Sequence, residues 1–159
     1  MATYNRTATG GGTAGHPANA AVPYVMTSPV WDTADGGTGG DVVQLIDVPA
    51  DTMVVAGCLE VLEARGNGQI TLDVGVTGGD VDCFVDGSAL AAGFTPFLEA
   101  AVGASGSNAR IFTSADTIDA LILDGGSTGE SAARFRIHVC MVDISRNPLT
   151  EAATVSSGT

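Results

Sequence analysis

Apolar and polar residues alternate along several short segments beyond Asp41, and this pattern predicts β-strands. In "QITLDVGV" (residues 69–76) every second residue is apolar, which is the period of a strand with one buried face. In "RFRIHVCMVDI" the two alternating faces are Phe135, Ile137, Val139 and Met141 against Arg134, Arg136 and His138. "DVVQLIDVP" is a further strand, which ends at Pro49.

Turn-forming residues separate these segments. Asn67-Gly68 can supply the two positive-φ residues of a tight turn, so residues 52–76 are predicted to form one hairpin. Its first half, "TMVVAGCLEVLEA", is rich in β-branched residues and favours a strand, with a helix ending at Gly66 as the alternative. "TGGD" and Asp86-Gly87 are predicted to be turns on either side of a strand "VDCFV".

The rest of the central region adds strands and one irregular segment. "RIFTSADTIDALIL" is predicted to form one strand or two short ones. Gly93 and Pro96 interrupt "SALAAGFTPFLEAAVGASGSN", so a loop with a short helical turn is expected there. Together these segments make seven to nine short strands and hardly any helix. The predicted fold is all-β, an antiparallel β-sandwich or jelly-roll-like domain with an extended N-terminal arm.

Composition divides the chain into an arm at 1–40, a sandwich body at 41–146 and a tail at 147–159. The arm is rich in Gly, Ala and Thr and has few large apolar side chains, so ordering it costs more backbone entropy than its own burial returns. We therefore expect it to lie as a strap along neighbouring subunits, where it can add strands to their sheets. An arm folded back on the chain's own body is the alternative. The residues expected to contact the partner are Tyr4, Arg6, His16, Val22, Tyr24, Met26 and Trp31.

Charge excludes several classes of function. The chain has 18 acidic and 6 basic residues, a net charge of −12, and no Lys. A surface of this sign does not suit nucleic acid or an anionic membrane, and a P-loop or a Schiff base needs a Lys. We see no secretory signal, so synthesis in a reducing cytoplasm is expected, with Cys58, Cys83 and Cys140 as buried free thiols.

Candidate chemistry is sparse. "GGGTAG" lacks the flanking strand and helix of a dinucleotide site, and His138 is expected to be solvated, without a nucleophile beside it. The acidic cluster Asp73, Asp80, Asp82 and Asp86 could offer oxygen ligands to calcium. A solvated strand edge protected by charge is the alternative for this cluster. No enzyme activity and no cofactor are predicted.

Four segments carry a resemblance to a known class of protein. "VPADTMVV", "LDVGVTGGDVDCFVDG", "TSADTIDALIL" and "ARFRIHVCMVDIS", between Val48 and Ser145, resemble the body of capsid decoration (cement) proteins of tailed bacteriophages. This resemblance implies a protein on the outer capsid surface of the virion, often a homotrimer, that clamps adjacent subunits of the major capsid protein. The acidity suits the outside of a shell better than its DNA-lined inside.

Two other functions remain open from the sequence. One is a receptor- or carbohydrate-binding module of a virion fibre or tail, which would present residues 88–109 and their aromatic side chains Phe94 and Phe97 to a ligand. The other is a calcium-dependent binding or hydrolytic module, which requires the acidic cluster to converge on one ion.

Overall fold

The computed structural model describes residues 23–35, 39–64, 71–97, 110–123 and 133–145, and the main chain of residues 3–8. This part of the chain contains strands and one 3-10 turn at Thr33–Asp35. The strands are β1 (Thr3–Ala8), β2 (Tyr24–Thr27), β3 (Trp31–Asp32), β4 (Val42–Val48), β5 (Thr52–Glu63), β6 (Thr71–Gly75), β7 (Val85–Ala89), β8 (Gly93–Pro96), β9 (Arg110–Phe112), β10 (Asp116–Ile122) and β11 (Arg134–Asp143).

The strands form two sheets. Sheet A has the order β1-β4-β10-β6-β7, and sheet B has the order β2-β11-β5-β8, with β3 beside β11 and β9 beside β5. All pairs are antiparallel except β1 and β4, which are parallel. The all-β, sandwich-like prediction is confirmed, with one parallel pair where an antiparallel architecture was expected.

The apolar faces of the strands make one core. The predicted inward face of β11 is confirmed, since Phe135, Ile137, Val139 and Met141 are fully buried. They lie in one cluster with residues of both sheets, such as Leu45 of β4. Because β11 lies in the middle of sheet B and supplies four of these side chains, it organises that half of the sandwich.

The hairpin predicted for residues 52–76 is wrong. Both of its strands exist, but β5 lies in sheet B between β11 and β8, whereas β6 lies in sheet A between β10 and β7. The helical alternative for β5 is also excluded. The chain therefore crosses from one sheet to the other between these strands, and Asn67-Gly68 lies outside the described residues.

Three predictions for residues 81–97 are also wrong. Residues 81–84 form turns, not a strand, and the strand β7 includes Asp86-Gly87, which had been predicted to be a turn. Gly87 has φ 58°, so its positive φ is accommodated within the strand. Where a loop with a helical turn was expected, β8 begins at Gly93, and the rest of that segment, from 98 to 108, lies outside the described residues.

The described parts of the arm belong to the chain's own sheets. β1 extends sheet A beside β4, while β2 and β3 pair with β11 in sheet B. Two side chains reinforce this docking: the Ser28 hydroxyl accepts a hydrogen bond from the amide of Ile137, and the Thr33 hydroxyl accepts one from the amide of Ala133. These strands extend the chain's own sheets, which agrees with the alternative of an arm folded back on the chain's own body. Addition to the sheets of a neighbour was the other expectation.

Two remaining points concern the burial of the three cysteines and the search for a membrane-spanning helix. Cys58, Cys83 and Cys140 are all free thiols, but only Cys83 is buried, and the other two are half-buried. In the described part of the chain, no helix is long and apolar enough to cross a membrane.

Candidate functional site

The residues expected to contact a partner are dispersed. Tyr4 and Arg6 lie on β1, of which only the main chain is described, and His16 and Val22 lie outside the described residues. Tyr24 and Met26 occupy the inward face of β2 and pack against the core. Trp31 is 1% exposed and is part of that core. Its burial stabilises the chain's own sandwich and leaves almost none of its surface for a partner.

The four acidic side chains do not converge on one point. Asp73 is buried, and its carboxylate accepts a hydrogen bond from the amide of Gly87 at 2.7 Å. The pairing of β6 with β7 shifts register beside Asp73, so this side chain replaces a main-chain acceptor at the irregularity. Burial raises the pKa of Asp73, against the lowering effect of the Gly87 hydrogen bond.

The neighbouring carboxylates interact with each other and with one arginine. A hydrogen bond with Asp82 raises the pKa of Asp80, and Asp80 also lies 3.9 Å from the guanidinium of Arg110. No group of three or more histidine, cysteine or acidic side chains within the described residues has the arrangement of a metal site. The geometry therefore favours the alternative interpretation of this cluster, a charged strand edge.

A second feature of the structure is a hydrogen-bonded network on the side of sheet B that faces away from the core. The carboxylate of Glu60 on β5 accepts a hydrogen bond from Arg136 Nε and lies 2.8 Å from Nε2 of His138. Nδ1 of the same imidazole lies 2.9 Å from the hydroxyl of Thr27 on β2. His138 is therefore hydrogen-bonded on both sides, where the sequence predicted a solvated side chain.

The network has electrostatic consequences for its members. Hydrogen bonds from Arg136 and then His138 lower the pKa of Glu60. Burial, and secondarily the charge of Glu60, raise the pKa of the Cys58 thiol on the same strand. The carboxylate of Glu60 is thus held in its charged form across the physiological pH range.

Apolar and small side chains surround this network. Directly opposed residues of antiparallel strands project to the same face of a sheet, and the register places Val25 opposite Cys140 and Phe94 opposite Glu60. Val25 and Phe94 are each 68% exposed. We refer to this outward surface of β2, β11, β5 and β8 as the outer face of sheet B.

Comparison with known proteins shows which solved structures share this fold. Neither a protein-family model nor a curated protein sequence matches the chain. Among solved structures, a chain of the capsid of Ralstonia phage GP4 is similar, with a TM-score of 0.62 at 21% identity, over 91% of this chain and 100% of that one. Its structural neighbours are phage capsid proteins. The resemblance to capsid-associated phage proteins is thereby confirmed at the level of the fold.

Two further capsid structures contain chains with a similar fold. A chain of the cyanophage Pam1 capsid asymmetric unit has a TM-score of 0.58 at 16% identity, over 86% of this chain and 96% of that one. A chain from the acidic stable capsid of Helicobacter pylori bacteriophage KHP30 has a TM-score of 0.56 at 16% identity, over 76% and 87% of the two chains. The shared fold covers nearly the full length of these neighbours.

The sequence offered one signal for the hydrogen-bonded network. Glu60 is the single charged residue in "TMVVAGCLEVL", and Arg136 and His138 are alternate residues of a strongly predicted strand. A lone acid in an apolar strand indicates a basic partner on a neighbouring strand. Identifying that partner required the pairing of β5 with β11, which the predicted hairpin with β6 had obscured.

Proposed function

We propose that the protein is a structural component of a phage virion that binds the outer surface of the capsid and clamps adjacent subunits of the major capsid protein. The observation that carries this proposal is the fold shared with chains of three phage capsids, over 87% to 100% of their lengths. A structural role also agrees with the described chemistry: His138 is held between Glu60 and Thr27.

The net charge of the chain supports a location on the outer surface of the capsid. The chain carries a net charge of −12, and the inside of a packaged capsid faces densely packed phosphates, which repel an acidic protein. On the outer surface of the capsid the acidic chain does not face these phosphates. In this proposal the partners are the major capsid protein and further copies of the chain, as a homotrimer, and no nucleic acid or membrane is bound.

The strap is proposed only for residues outside the described part of the chain. The described strands of the arm are paired with the chain's own sheets, and Trp31 is in the core. Tyr4 and Arg6, of which only the main chain is described, also remain predicted partner contacts, as do His16 and Val22.

The test is reconstitution on capsids of the source phage that lack the protein. We expect saturable binding at a fixed number of copies per particle and a rise in the temperature at which the shell opens. Capsids that are already saturated with unlabelled protein are the control, and antibody access on intact particles distinguishes the outer from the inner surface. Absence of saturable binding would refute the proposal.

One observation favours the receptor- or carbohydrate-binding alternative. Phe94 is exposed, as an aromatic platform for a sugar must be. Phe97, in contrast, stacks on Phe84 with a ring-centroid distance of 4.8 Å and packs against the core. Binding of the isolated protein to host-cell surface glycans, without binding to capsids, would establish this alternative.

A further inference from the structure

We propose that the segment between β6 and β7, residues 76–84, is a pH-sensitive closure over part of the core: mild acid holds it shut, and it opens more readily near neutral pH. We call this segment the acidic turn. Its opening uncovers Cys83 and Phe84, both of which are buried in the closed form. The proposal concerns the stability of the chain itself and goes beyond the proposed function, since it does not depend on capsid binding.

Main-chain hydrogen bonds close the acidic turn onto β6. The amide of Val76 donates to the carbonyl of Asp80 at 2.9 Å, and the amide of Gly79 donates to the carbonyl of Val76 at 3.1 Å. The amide of Phe84 donates to the carbonyl of Val74 on β6 at 2.8 Å. The carboxyl groups of the turn can therefore move apart only by rotation of their side chains or by opening of the turn.

Two buried carboxyl groups of sheet A lie against the two ends of this segment. Asp119 on β10 is 3% exposed, and its Oδ2 accepts a hydrogen bond from the amide of Thr77 at 3.1 Å. Its Oδ1 has no hydrogen-bond partner within the part of the chain that the structure describes. Asp73 on β6 is also buried and accepts a hydrogen bond from Gly87, just beyond the turn. Buried groups with so few donors disfavour further negative charge nearby.

The turn itself carries two carboxyl groups in direct contact. The side chains of Asp80 and Asp82 are hydrogen-bonded to each other. Two ionised carboxylates have no proton to donate, so this hydrogen bond exists only while the pair holds at least one proton. When the pair loses that proton, two like charges remain side by side and repel each other. The contact is therefore attractive in acid and repulsive near neutral pH.

Among the described residues, one positive charge opposes this concentration of carboxyl groups. The guanidinium of Arg110 on β9 lies 3.9 Å from Asp80, and its Cζ lies 6.0 Å and 5.8 Å from the ring centroids of Phe84 and Phe112. The described titratable groups around the turn are Asp73 of β6, Asp80, Asp82 and Cys83 of the turn, Asp86 of β7, Arg110 of β9 and Asp119 of β10. Full ionisation of the carboxyl groups therefore leaves a large excess of negative charge.

Two raised pKa values set the direction of the pH dependence. The hydrogen bond with Asp82 raises the pKa of Asp80. Burial, and after it the charges of Asp82 and Asp86, raise the pKa of Asp73 against the Gly87 hydrogen bond. An Asp side chain of the unfolded chain titrates at about pH 3.9, so above that pH the folded turn binds more protons than the unfolded chain. The contribution of the turn to stability therefore increases as the pH falls from 7, and it is lowest where every carboxyl group is ionised.

The test measures how often the turn opens, through the thiol of Cys83. Cys83 is buried within the turn, so a pyridyl disulfide reagent reaches it only in the open state. The labelling rate of the urea-unfolded chain divided by that of the folded protein at the same pH gives a protection factor. Mass spectrometry separates the labelling of Cys83 from that of Cys58 and Cys140. We expect the wild-type protection factor to rise about fivefold or more between pH 7 and pH 5.

Asp82→Asn removes the repulsion and keeps a donor, because its amide can still donate a hydrogen bond to Asp80. We expect this variant to protect Cys83 about fivefold better than wild type at pH 7 and to change little between pH 7 and pH 5. Its urea midpoint should exceed that of wild type at pH 7 and approach it near pH 4. Glu63→Gln is the matched control: it removes an exposed carboxylate from sheet B and is expected to follow the wild type at every pH.

Three results would overturn the proposal. A wild-type protection factor that falls in acid would mean that protons open the turn. An equal pH dependence in Asp82→Asn and wild type would show that the Asp80–Asp82 pair is not its source. If millimolar calcium at pH 7 raised the protection of Cys83 as much as acid does, in wild type but not in Asp82→Asn, the pair would hold a cation and not a proton.

Discussion

The carboxylate of Glu60 connects three strands through hydrogen bonds. It contacts Arg136 and His138 of β11, and His138 continues the network to Thr27 of β2. A carboxylate that accepts hydrogen bonds from two basic groups is stabilised in its charged form, which is why the pKa of Glu60 is lowered. The interaction therefore contributes to stability only while Glu60 is ionised.

Replacing this carboxylate gives a pH-dependent loss of stability. A lowered folded-state pKa means that the contribution of Glu60 is present above its unfolded pKa of about 4.3 and is lost as the pH falls through the folded value. We expect Glu60→Gln to lower the urea midpoint at pH 7 and the difference from wild type to shrink below pH ~4. Urea unfolding of both proteins from pH 7 to pH 3 measures this.

A control on the same strand separates this network from a general charge effect. Glu63 is an exposed carboxylate on β5, and Glu63→Gln is expected to change the midpoint little at either pH. If the Glu60→Gln difference were as large at pH 3 as at pH 7, the ionised carboxylate would not be the source of the stability.

At the scale of elements, the turn after β6 depends on the close approach of main-chain atoms to Gly75. A methyl group at Gly75 would overlap the carbonyl oxygen of Asp80 and main-chain atoms of Val81. The amide of Val76 donates to that same Asp80 carbonyl at 2.9 Å. The turn therefore folds back directly over Gly75, and only a residue without a side chain permits this.

Gly75→Ala tests this packing. We expect a loss of about 1–3 kcal/mol in the free energy of unfolding, because main-chain atoms must shift to admit the methyl group. Gly79→Ala in the same turn is the matched control, since its nearest neighbours would lie at an ordinary contact distance of 3.6 Å, and its effect should stay within about 0.5 kcal/mol. Equal effects of the two substitutions in denaturant unfolding would contradict the packing described here.

The strands also show how much of the fold the sequence could predict. Strands β4, β10 and β11 follow from dense apolar runs, because such runs must be buried wherever they lie. The hairpin failed because Asn67-Gly68 is a local signal, whereas pairing depends on the partners available in the whole chain. β5 has β11 on one side and β8 and β9 on the other, so no edge of it remains for β6.

The candidate site was less predictable for the same reason. Tyr24, Met26 and Trp31 were expected to contact a partner because they are large apolar residues in a glycine-rich segment. β2 and β3 turn these side chains toward the core and leave Val25 outside. Which alternate residue of a strand faces outward is fixed only when the strand docks on its sheet.

The whole molecule is strongly acidic, and this sets how its copies respond to salt. At a net charge of −12, two copies repel each other at long range, and salt screens that repulsion. We expect the self-association that is part of the proposed function to strengthen several-fold between low salt and about 0.5 M NaCl. Sedimentation equilibrium over this range measures the change. Weakening by salt would indicate a contact between opposite charges.

The pairing of β2 and β3 with β11 also limits when sheet B can form during synthesis. Thr27 meets His138 across 111 positions of the chain, and Ser28 meets Ile137 across 109. The ribosome therefore synthesises β2 and β3 long before their partner strand β11. Until β11 is present, Trp31 cannot be buried against it. Contacts of such large sequence separation form slowly, because a long loop must close first. β2 and β3 are thus synthesised well before they can pair, and sheet B is completed only after β11 has left the ribosome.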